Sequence, residues 1–496
     1  MHPLLDILRL DAPRFGPKLA DAALSRGLAV TQKDGSTRAI PVTATPVILP
    51  KAEIARRAQA ATLLSRAAFK MARAILRSPD RELLLGAMSP VERRLAEATV
   101  DRLNALATTR VDYFVAGGVP YALEVNATIP AMQGYSDIAA QTFIEAVGRH
   151  AGLKDAAIAS IAGRNGSNAL ALYRALLEGY AQQRGGATPN RILLLCRRND
   201  AQITEQRYLA ARFCDFGTEA EVVHPDELSG DEVIEARGKK WDLVYRHLFA
   251  RRLEETPAPF VEHFFATWWK WKTVLLNPPS AQVEVKTTFA RLSLATQQPE
   301  LAKLAQLSDE ELATVRELVP WTRLFRAGPT LGPRGERIDD LVQWVASDPA
   351  RFVLKRAWDY GGKAVFVGRA VGTPQFEERV RAAYGAPLDW RDVCARAAND
   401  PVGGGLVVQE FVDNVPEEHL LCTPDGVHPA ALYVDFSAYG SVQGGRAPDW
   451  GGVCRGSVSQ IVNIVGGGGV LPLLTTEVAD ALHTAFRAQI GRTIRS

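Results

Sequence analysis

Hydrophobic residues recur at every third or fourth position through long stretches of the first part of the chain. Residues 51–108 show this spacing, for example in AEIARRAQAATLLSRAAFKMARAIL, and are rich in Ala, Leu, Arg and Glu. The period is typical of helices with one apolar face, so it predicts two or three helices here. The pattern of residues 136–184 predicts further helices. We therefore expect a helical N-terminal region, residues 1–104, that serves mainly as a packing scaffold.

Short apolar runs alternate with a helical pattern from Arg191 onward. RILLLCR and TEAEVVHP have the character of strands and flank the amphipathic stretch ITEQRYLAARFCDFG, and DLVYRHL and TVLLNPP predict two more strands. This order implies a parallel sheet with right-handed crossovers. No GxGxxG follows the first strand, so a dinucleotide site is not supported. We interpret the unit as a substrate-side domain within an α/β or α+β protein.

The pattern changes again near residue 283. VEVKTTFARLSL opens a helix, and RFVLKRAWDYGGKAVFVGRA predicts a β-hairpin around a glycine loop. GGGLVVQEFVD and PAALYVDFSAYG each predict a strand. RGSVSQIVNIVGGGGVLP predicts a last strand that runs into four glycines.

Composition removes several classes of function. A net charge of +3 over 496 residues indicates no nucleic-acid or membrane partner, and no apolar run is long enough to cross a bilayer. Asp6, Arg9 and Asp11 interrupt any secretory leader. The five cysteines are scattered without a CxxC pair. This usage favours a reducing cytoplasm and argues against a disulfide framework or structural zinc. The eight histidines form no i, i+4 pair and no HExxH, so we expect no histidine-ligated catalytic metal.

The clearest candidate chemistry lies in RVDYFVAGGVPYALEVNATIP. RVDYFVA and YALEVN predict two strands joined by a Gly-Gly-Val-Pro turn. Residues two apart on a strand share a face, so Glu124 and Asn126 can point at one ion, and Asp112 joins them from the paired strand. Oxygen ligands of this kind suit Mg²⁺. A half-exposed edge strand is the alternative interpretation of the same residues.

Candidates for handling phosphate come only after position 280. Lys355 lies on a predicted strand before the glycine loop, and Lys363 follows the loop. Glycine amides can approach phosphate oxygens closely while lysine supplies charge. Lys286 begins a predicted helix and could meet a triphosphate. Each feature also has an ordinary explanation, either a plain hairpin or a solvated lysine.

The combined pattern is more specific than its parts. Arg110, Asp112, Glu124 and Asn126 fit the spacing R-x-D-x11-E-x-N, ahead of the candidate lysines in the chain. In this the sequence resembles the glutathionylspermidine synthase-like branch of circularly permuted ATP-grasp enzymes, over roughly residues 105–470. The resemblance implies a helical N-terminal region (1–104), a metal-ligand hairpin with helices completing the ATP-grasp core (105–185), a Rossmann-like pre-ATP-grasp substrate domain (186–282), and a nucleotide-binding region (283–496) whose glycine-loop lid spans about 350–415.

The resemblance also implies a role for each matched residue, with ATP and Mg²⁺, as two ions, as cofactors. Asp112, Glu124 and Asn126 would bind Mg²⁺, and Arg110 would stabilise the charge on an acyl phosphate. The nucleotide contacts would be Lys286 and Lys355 on the phosphates, Asp359, Tyr360, Gly361, Gly362 and Lys363 in the lid, and Gln409, Glu410 and Val412 around adenine, the last two through the main chain.

The implied activity is an ATP-dependent carboxylate–amine ligase that forms an amide through an acyl phosphate. Its partners would be a small-molecule carboxylate or peptide acid and an amine. Where the family often has Asn-Ala-Asp-Thr-Pro this chain has NATIPA, which puts a polyamine-type substrate in doubt, and we expect a synthetase without the family's amidase domain. A phosphotransferase on the same fold, or a non-catalytic ATP-binding regulatory protein, are the alternatives.

Substrate contacts are harder to assign. Arg246 in VYRH and Arg455 in CRGSVS are candidate carboxylate clamps because a guanidinium binds a carboxylate with two hydrogen bonds. A structural salt bridge is the favoured explanation of either arginine taken alone. Ser136 and Asp137 in MQGYSD could face a substrate or cap a helix. The cluster Trp268, Trp269 and Trp271 could line a pocket or an interface, with core packing as the default.

Overall fold

A computed structural model describes residues 2–102, 105–359, 364–443, 450–462, 464 and 468–493. The helices in these ranges are α1 (Leu4–Ser25), α2 (Lys51–Leu76), α3 (Glu82–Leu85), α4 (Pro90–Thr99), α5 (Gln133–His150), α6 (Asp155–Ala162), α7 (Asn168–Gln183), α8 (Ile203–Asp215), α9 (Arg252–Glu255), α10 (Pro259–Thr267), α11 (Ala281–Glu284), α12 (Lys286–Ala295), α13 (Pro299–Leu304), α14 (Asp309–Leu318), α15 (Leu341–Ser347), α16 (Pro374–Tyr384), α17 (Trp390–Ala397) and α18 (Thr476–Thr493).

The strands in the same ranges are β1 (Ala29–Thr31), β2 (Thr37–Ala39), β3 (Val42–Thr43), β4 (Val47–Leu49), β5 (Thr109–Ala116), β6 (Val119–Asn126), β7 (Arg191–Cys196), β8 (Glu219–Val223), β9 (Ile234–Ala236), β10 (Lys239–Trp241), β11 (Leu243–His247), β12 (Val274–Leu276), β13 (Thr322–Leu324), β14 (Thr330–Leu331), β15 (Arg337–Ile338), β16 (Phe352–Arg356), β17 (Val365–Val367), β18 (Leu406–Glu410), β19 (Glu417–Thr423), β20 (Gly426–Gly440), β21 (Val453–Ser457), β22 (Gly469–Leu471) and β23 (Leu473–Thr475). Short pairs outside the three larger sheets join β1 to β2, β9 to β10, β14 to β15 and β4 to β23.

A central sheet unites distant parts of the chain. Its strand order is β19-β3-β22-β21-β20-β5-β6, so the hairpin β5–β6 pairs with strands that lie about 300 residues later in the sequence. Helix α2 packs on this sheet with an alanine-rich face. A Cβ on Gly440 would lie 2.7 Å from backbone atoms of Ala61 and Thr62, so glycine at this position is what lets α2 approach β20 closely.

A parallel sheet forms the second unit. Its order is β12-β11-β7-β8, and all its neighbours run parallel, as the alternating sequence pattern predicts. Strands β7 and β12 are almost entirely apolar and buried, as in parallel sheets covered on both faces, whereas β8 carries two glutamates and is partly exposed. The three tryptophans at 268, 269 and 271 pack on the core of this unit, with Trp268 and Trp271 buried, so core packing explains them.

A four-stranded outer sheet has the order β13-β18-β16-β17. It lies across a cleft from strands β5 and β6 of the central sheet. Its pairings are antiparallel and include the predicted hairpin of β16 with β17. Helices α15, α16 and α17 contribute with this sheet to one hydrophobic core. Helix α12, which begins at Lys286, packs against β13.

Two sequence predictions need correction. The N-terminal region is not purely helical, because β1 to β4 follow α1, and β3 joins the central sheet between β19 and β22. The last predicted strand is not continuous either. It divides into β21 and β22, which pair antiparallel with each other. In the described residues no helix combines the length and apolarity that crossing a bilayer requires.

Candidate active site

A cleft lies between the central sheet and the outer sheet. One wall comes from the central-sheet strands β5, β6, β20 and β21, and the other from β16, β17 and β18. Charged residues that line the cleft include Asp112, Glu124, Lys286, Lys355, Asp359, Asp435 and Arg455. The segments that carry them are far apart in sequence, so the fold alone assembles the charges.

The hairpin β5–β6 places its acids by register. Its two-residue turn, Gly117 and Gly118, has φ values of 58° and 80°, the left-handed conformation that a tight hairpin requires and glycine adopts readily. Asp112 lies directly opposite Glu124, and the register shifts just beyond this pair, where β6 has one residue more than β5. Such a bulge re-aims neighbouring side chains. Both carboxylates consequently face the cleft.

A buried network of charge surrounds Asp112. The Arg110 guanidinium donates two hydrogen bonds to its carboxylate, at 2.7 and 3.1 Å, and Arg455 donates a third at 2.8 Å. Arg455 also donates to Asp435, through Nε at 3.1 Å and through a second, shorter contact. Burial opposes ionisation of Asp112, but the two arginines hold its pKa well below the usual range. For Asp435 burial prevails and raises the pKa to about 6.

Glu124 forms an ion pair across the cleft. Its carboxylate lies 3.1 Å from the Nζ of Lys286, and the same ammonium donates to the Asp359 carbonyl at 3.3 Å. Burial would lower the pKa of Lys286, but the charge of Glu124 outweighs it and the pKa is raised. Lys286 therefore carries its charge at neutral pH. Lys286, the first residue of α12, is thus held against the β5–β6 hairpin.

Lys355 supplies a second half-buried cation. Its Nζ donates to Gln409 Oε1 at 2.6 Å, and Gln409 in turn donates to Thr322 at 3.0 Å. Burial lowers the pKa of Lys355 to about 8. Because none of the described carboxylates pairs with it directly, Lys355 can offer its charge to an anion that enters the cleft.

The end of β18 forms the far side of the cleft. Glu410 accepts two hydrogen bonds from Arg351, at 3.1 and 2.8 Å. Its side chain is therefore held by Arg351. Val412, two residues on, also lines the cleft. Among the described residues no main-chain partner accepts its N–H. An extended main chain with a free N–H can bind the edge of a planar base.

The acidic end of the cleft fits a hard divalent cation. Asp112 and Glu124 are strand partners that both line the cleft, and Asp435 lies on the adjacent strand, although both oxygens of Asp112 already accept hydrogen bonds from Arg110 and Arg455. Asn126 has a more peripheral position, where its amide donates weakly to the Arg110 carbonyl at 3.5 Å. Oxygen donors of this set are those that Mg²⁺ uses. Mg²⁺ would complete its shell with phosphate oxygens and water.

Not every predicted residue lines the cleft. Arg110 is buried behind Asp112, and its remaining Nη donates to the Ala131 carbonyl at 3.0 Å. Arg246 is fully buried and donates to the main-chain carbonyls of Leu248, Asn277, Thr128 and Pro278. A carboxylate cannot replace so many acceptors without disrupting the core, so the predicted substrate role of Arg246 is wrong. Lid residues Tyr360, Gly361, Gly362 and Lys363 lie outside the described residues.

Ser136 and Asp137 have structural partners. Ser136 donates to the Gly452 carbonyl at 2.9 Å. Asp137 accepts the N–H groups of Asn168 and Ala169, at 2.8 and 3.0 Å, and so caps α7 from the neighbouring helix α5. Helix capping, the alternative interpretation of Ser136 and Asp137, therefore applies to Asp137. The helix that Asp137 caps is α7, whereas Asp137 itself belongs to α5.

Asp137→Ala is therefore expected to lower stability and leave substrate affinity unchanged. The variant removes the acceptor of buried donors at the start of α7, which costs about 1–3 kcal/mol. Urea unfolding measures the loss, and Asp155→Ala, at an 87 % exposed first-turn acid of α6, is the matched control. An altered substrate KM with unchanged stability would contradict the capping role.

Two residues at the site escape sequence reasoning. Asp435 lies in the long strand β20, where its pairing with Phe114 of β5 and Arg455 of β21 is set by tertiary register. Glu284 accepts the N–H groups of Ala127 and Thr128 at 3.0 and 2.7 Å, and holds the chain just after the hairpin. Only its closeness to Lys286 in the sequence could have drawn attention to it.

Comparison with known proteins places the fold. No family model and no curated protein matches the chain. A glutathione synthetase-like effector from Globodera pallida is similar in structure, with a TM-score of 0.54 and 14% identity over 94% of this chain and 97% of that one. A candidate gamma-glutamylcysteine synthetase from Methylobacillus flagellatus aligns with a TM-score of 0.38 and 12% identity, over 86% of this chain and 96% of that one. The first likeness shows a glutathione synthetase-like fold.

Proposed function

We propose that this protein is an ATP-dependent ligase that joins a carboxylate to an amine through an acyl phosphate. One observation carries the proposal: the acids of the early hairpin, Asp112 and Glu124, share a cleft with the late lysines, Lys286 and Lys355. A cleft with carboxylate oxygen donors beside two half-buried cations suits a polyphosphate and its divalent cation. The circularly permuted ATP-grasp order is part of this proposal. The joining of β5–β6 to β20 supports it.

ATP would occupy the cleft from end to end. The base would lie against the end of β18, where the Val412 N–H is available, and the phosphates would point toward Lys355 and Lys286. Mg²⁺ bound by Asp112 and Glu124, with Asn126 nearby, would neutralise phosphate charge. When the phosphates enter, they would compete with Glu124 for the ammonium of Lys286.

The reaction would proceed in two displacements. An oxygen of the substrate carboxylate attacks the γ-phosphorus, the bond to the β-phosphate oxygen breaks, and ADP leaves. The amine then attacks the acyl carbon, loses a proton, and releases inorganic phosphate as the amide forms. Positioning and electrostatic stabilisation dominate such phosphoryl transfer. Arg455, which lines the cleft beside Asp112, is the side chain that would face the charge on the transferred group.

Two features support a proposal for the substrate class: the fold and the absence of one acid. The similarity to a glutathione synthetase-like protein favours an amino acid or small peptide as the carboxylate. The residues that follow Asn126 are Ala127, Thr128 and Ile129, with no acid to attract a polyamine. We therefore propose a small, neutral or singly charged amine as the second substrate.

Lys355→Met is expected to weaken ATP binding while it stabilises the fold at neutral pH. Burial lowers the pKa of Lys355 from 10.5 to about 8, so between these values the unfolded chain holds a proton that the folded chain lacks. Stability therefore rises with pH across this window, and below pH 8 the folded protein bears the cost of the buried charge, about 3 kcal/mol for this shift. Met removes that cost, and ATP affinity falls about 10–100-fold with the lost charge.

Thermal unfolding at pH 7 and pH 10 and calorimetric ATP titration check both parts of this prediction. Lys240→Met is the control, since Lys240 is 71 % exposed in the parallel-sheet unit. A Lys355→Met protein that binds ATP with unchanged affinity would remove Lys355 from the nucleotide site.

The activity itself is tested by product analysis. The protein is incubated with Mg·ATP and pools of amino acids and small peptides, and ADP, phosphate and new amides are measured together. Ligase chemistry predicts ADP, phosphate and amide in equal amounts, with amide formation dependent on the amine. ADP together with a stable phosphorylated product, and no free phosphate, would identify a phosphotransferase and refute the ligase.

A further inference from the structure

The parallel sheet contains a site that the proposed chemistry does not use. In the order β12-β11-β7-β8, the chain passes from β7 to β8 on one side and then crosses to β11 and β12 on the other. Direction therefore reverses between β7 and β11. In open α/β sheets, ligands bind in the crevice outside the carboxyl ends of the strands at such a point.

Three potential metal ligands meet at this crevice. Cys196 is the last residue of β7, and His247 is the last residue of β11. The two lie opposite each other in the parallel register. Asp200 follows β7 after a short loop. The thiol sulfur, one imidazole nitrogen and one carboxylate oxygen all lie within 4.8 Å of one another, and all three residues are buried.

One ring nitrogen of His247 lacks a hydrogen-bond partner among the described residues. Its Nε2 is buried and makes no hydrogen bond to any residue in the described part of the chain. The Asp200 carboxylate oxygen is 3.7 Å away. Two ligands each about 2.0–2.2 Å from a tetrahedral zinc ion are separated by about 3.3–3.6 Å. The observed gap is therefore too long for a hydrogen bond but close to the spacing across a shared ion.

Surrounding contacts hold the ligands in place. Arg197 donates to the second oxygen of Asp200 at 3.2 and 3.3 Å, and the Gln202 N–H donates to the first at 3.0 Å. The Cys196 carbonyl accepts from the His224 ring at 2.8 Å. Outer contacts of this kind orient ligands in known metal sites. The ligand geometry is thus fixed before any ion enters.

From this geometry we infer that Cys196, Asp200 and His247 form a binding site for a zinc-class divalent cation, separate from the Mg·ATP cleft. A thiolate, a carboxylate and a neutral imidazole carry two negative charges, which one divalent cation balances inside the core. The thiolate selects a borderline metal such as Zn²⁺ or Co²⁺ over Mg²⁺. The local spacing of cysteines and histidines in the sequence does not predict this site.

The ion would tie the substrate-side domain to the loop that follows the metal hairpin. Asp200 and Gln202 belong to one turn, and Gln202 contacts the Met132 sulfur at 3.7 Å. Glu205, on the next helix, accepts the Gly134 N–H at 3.0 Å. Cys196 has no exposed surface, so a role as an attacking nucleophile toward a substrate is excluded by access. A structural ion is the function that the burial permits.

Cobalt substitution of the full-length protein tests the site. Protein stripped with a chelator is titrated with Co²⁺ alone, and the near-ultraviolet thiolate-to-cobalt absorption and the visible ligand-field bands of bound cobalt are recorded. We expect saturation at one equivalent and displacement by Zn²⁺ but not by Mg²⁺. Cys196→Ser should abolish the thiolate band, and Asp200→Asn should lower Co²⁺ affinity more than about tenfold, since even outer contacts contribute that much.

The control is Cys394→Ser, which alters a buried cysteine far from the crevice and should leave the spectrum unchanged. If Cys196→Ser does not fold, X-ray absorption of the zinc-loaded wild-type protein replaces it, with one sulfur scatterer expected. No thiolate band in the wild-type protein, a band that persists in Cys196→Ser, or a zinc shell without sulfur would each overturn the site. ATP turnover is not the readout, so a failed ligase assay leaves this test intact.

Discussion

Glu124→Gln is expected to lower the rate of Mg·ATP-dependent ADP formation by about 10²–10³-fold, the range seen when a key electrostatic contact to a transition state is removed. Gln keeps the size of the side chain but lacks the charge that would bind Mg²⁺ opposite Asp112. It also leaves Lys286 without its ion-pair partner, which alters the cation beside the phosphates. Both effects act on the same step, so the loss should appear in kcat and in the dependence on Mg²⁺.

A coupled assay for ADP over a range of Mg²⁺ concentrations measures the effect. Glu417→Gln is the matched control, because Glu417 lies on β19 of the same sheet with a side chain 76 % exposed. Circular dichroism establishes that both variants are folded. A folded Glu124→Gln protein with wild-type turnover would show that this hairpin does not bind the catalytic cation.

Arg455→Met is expected to be the most destabilising single change at the site, by about 3 kcal/mol or more. The variant leaves Asp435 buried without a counter-charge and removes one of the two arginines that hold Asp112. Breaking a buried ion pair by removing one partner typically costs 3–5 kcal/mol, because the other charge remains in the core. Turnover should fall with stability, since Arg455 also lines the cleft.

The pH dependence and a second substitution separate the two effects of Arg455→Met. Burial raises the folded-state pKa of Asp435 from 3.8 to about 6, so the folded protein holds the extra proton in that range and stability falls as pH rises through it. Without Arg455 this window extends to higher pH, and the variant should be most stable in mild acid. Arg455→Met/Asp435→Asn should recover most of the lost stability but none of the turnover.

Urea unfolding from pH 5 to pH 8 provides these values as a double-mutant cycle. Asp435→Asn alone is the reference, and it should be nearly neutral in stability at pH 5, below the Asp435 pKa of about 6, because a protonated carboxyl and an amide are similar in size and polarity. Additive losses in the double variant would contradict the coupling between Arg455 and Asp435.

The parts of the site that the sequence predicts are those fixed by local geometry. Asp112 and Glu124 face each other because a two-glycine turn sets the register of a single hairpin. Lys355 lies next to a strand partner only a few residues beyond the glycine loop. In both places the period of the strand decides which way a side chain points, so the pattern is sufficient.

The parts that escape prediction depend on distant register. Arg246 has the chemistry of a carboxylate clamp, but only the packing of the loops around β11 reveals that carbonyls occupy its guanidinium. Cys196 and His247 are 51 positions apart and become neighbours only when β7 and β11 align. Asp435 becomes a third acid at the cleft through its place beside β5 and β21. The spacing of these residues along the sequence does not predict that they become neighbours in the fold.

A hydroxylamine trap tests the central claim most directly. The protein is incubated with Mg·ATP, hydroxylamine and pooled carboxylic acids, and the products are analysed by mass spectrometry. An acyl phosphate formed in the cleft would react with hydroxylamine, so we expect a hydroxamate of one acid, formed with ADP and absent in Glu124→Gln. ADP formed with a phosphorylated product and without any hydroxamate would contradict it.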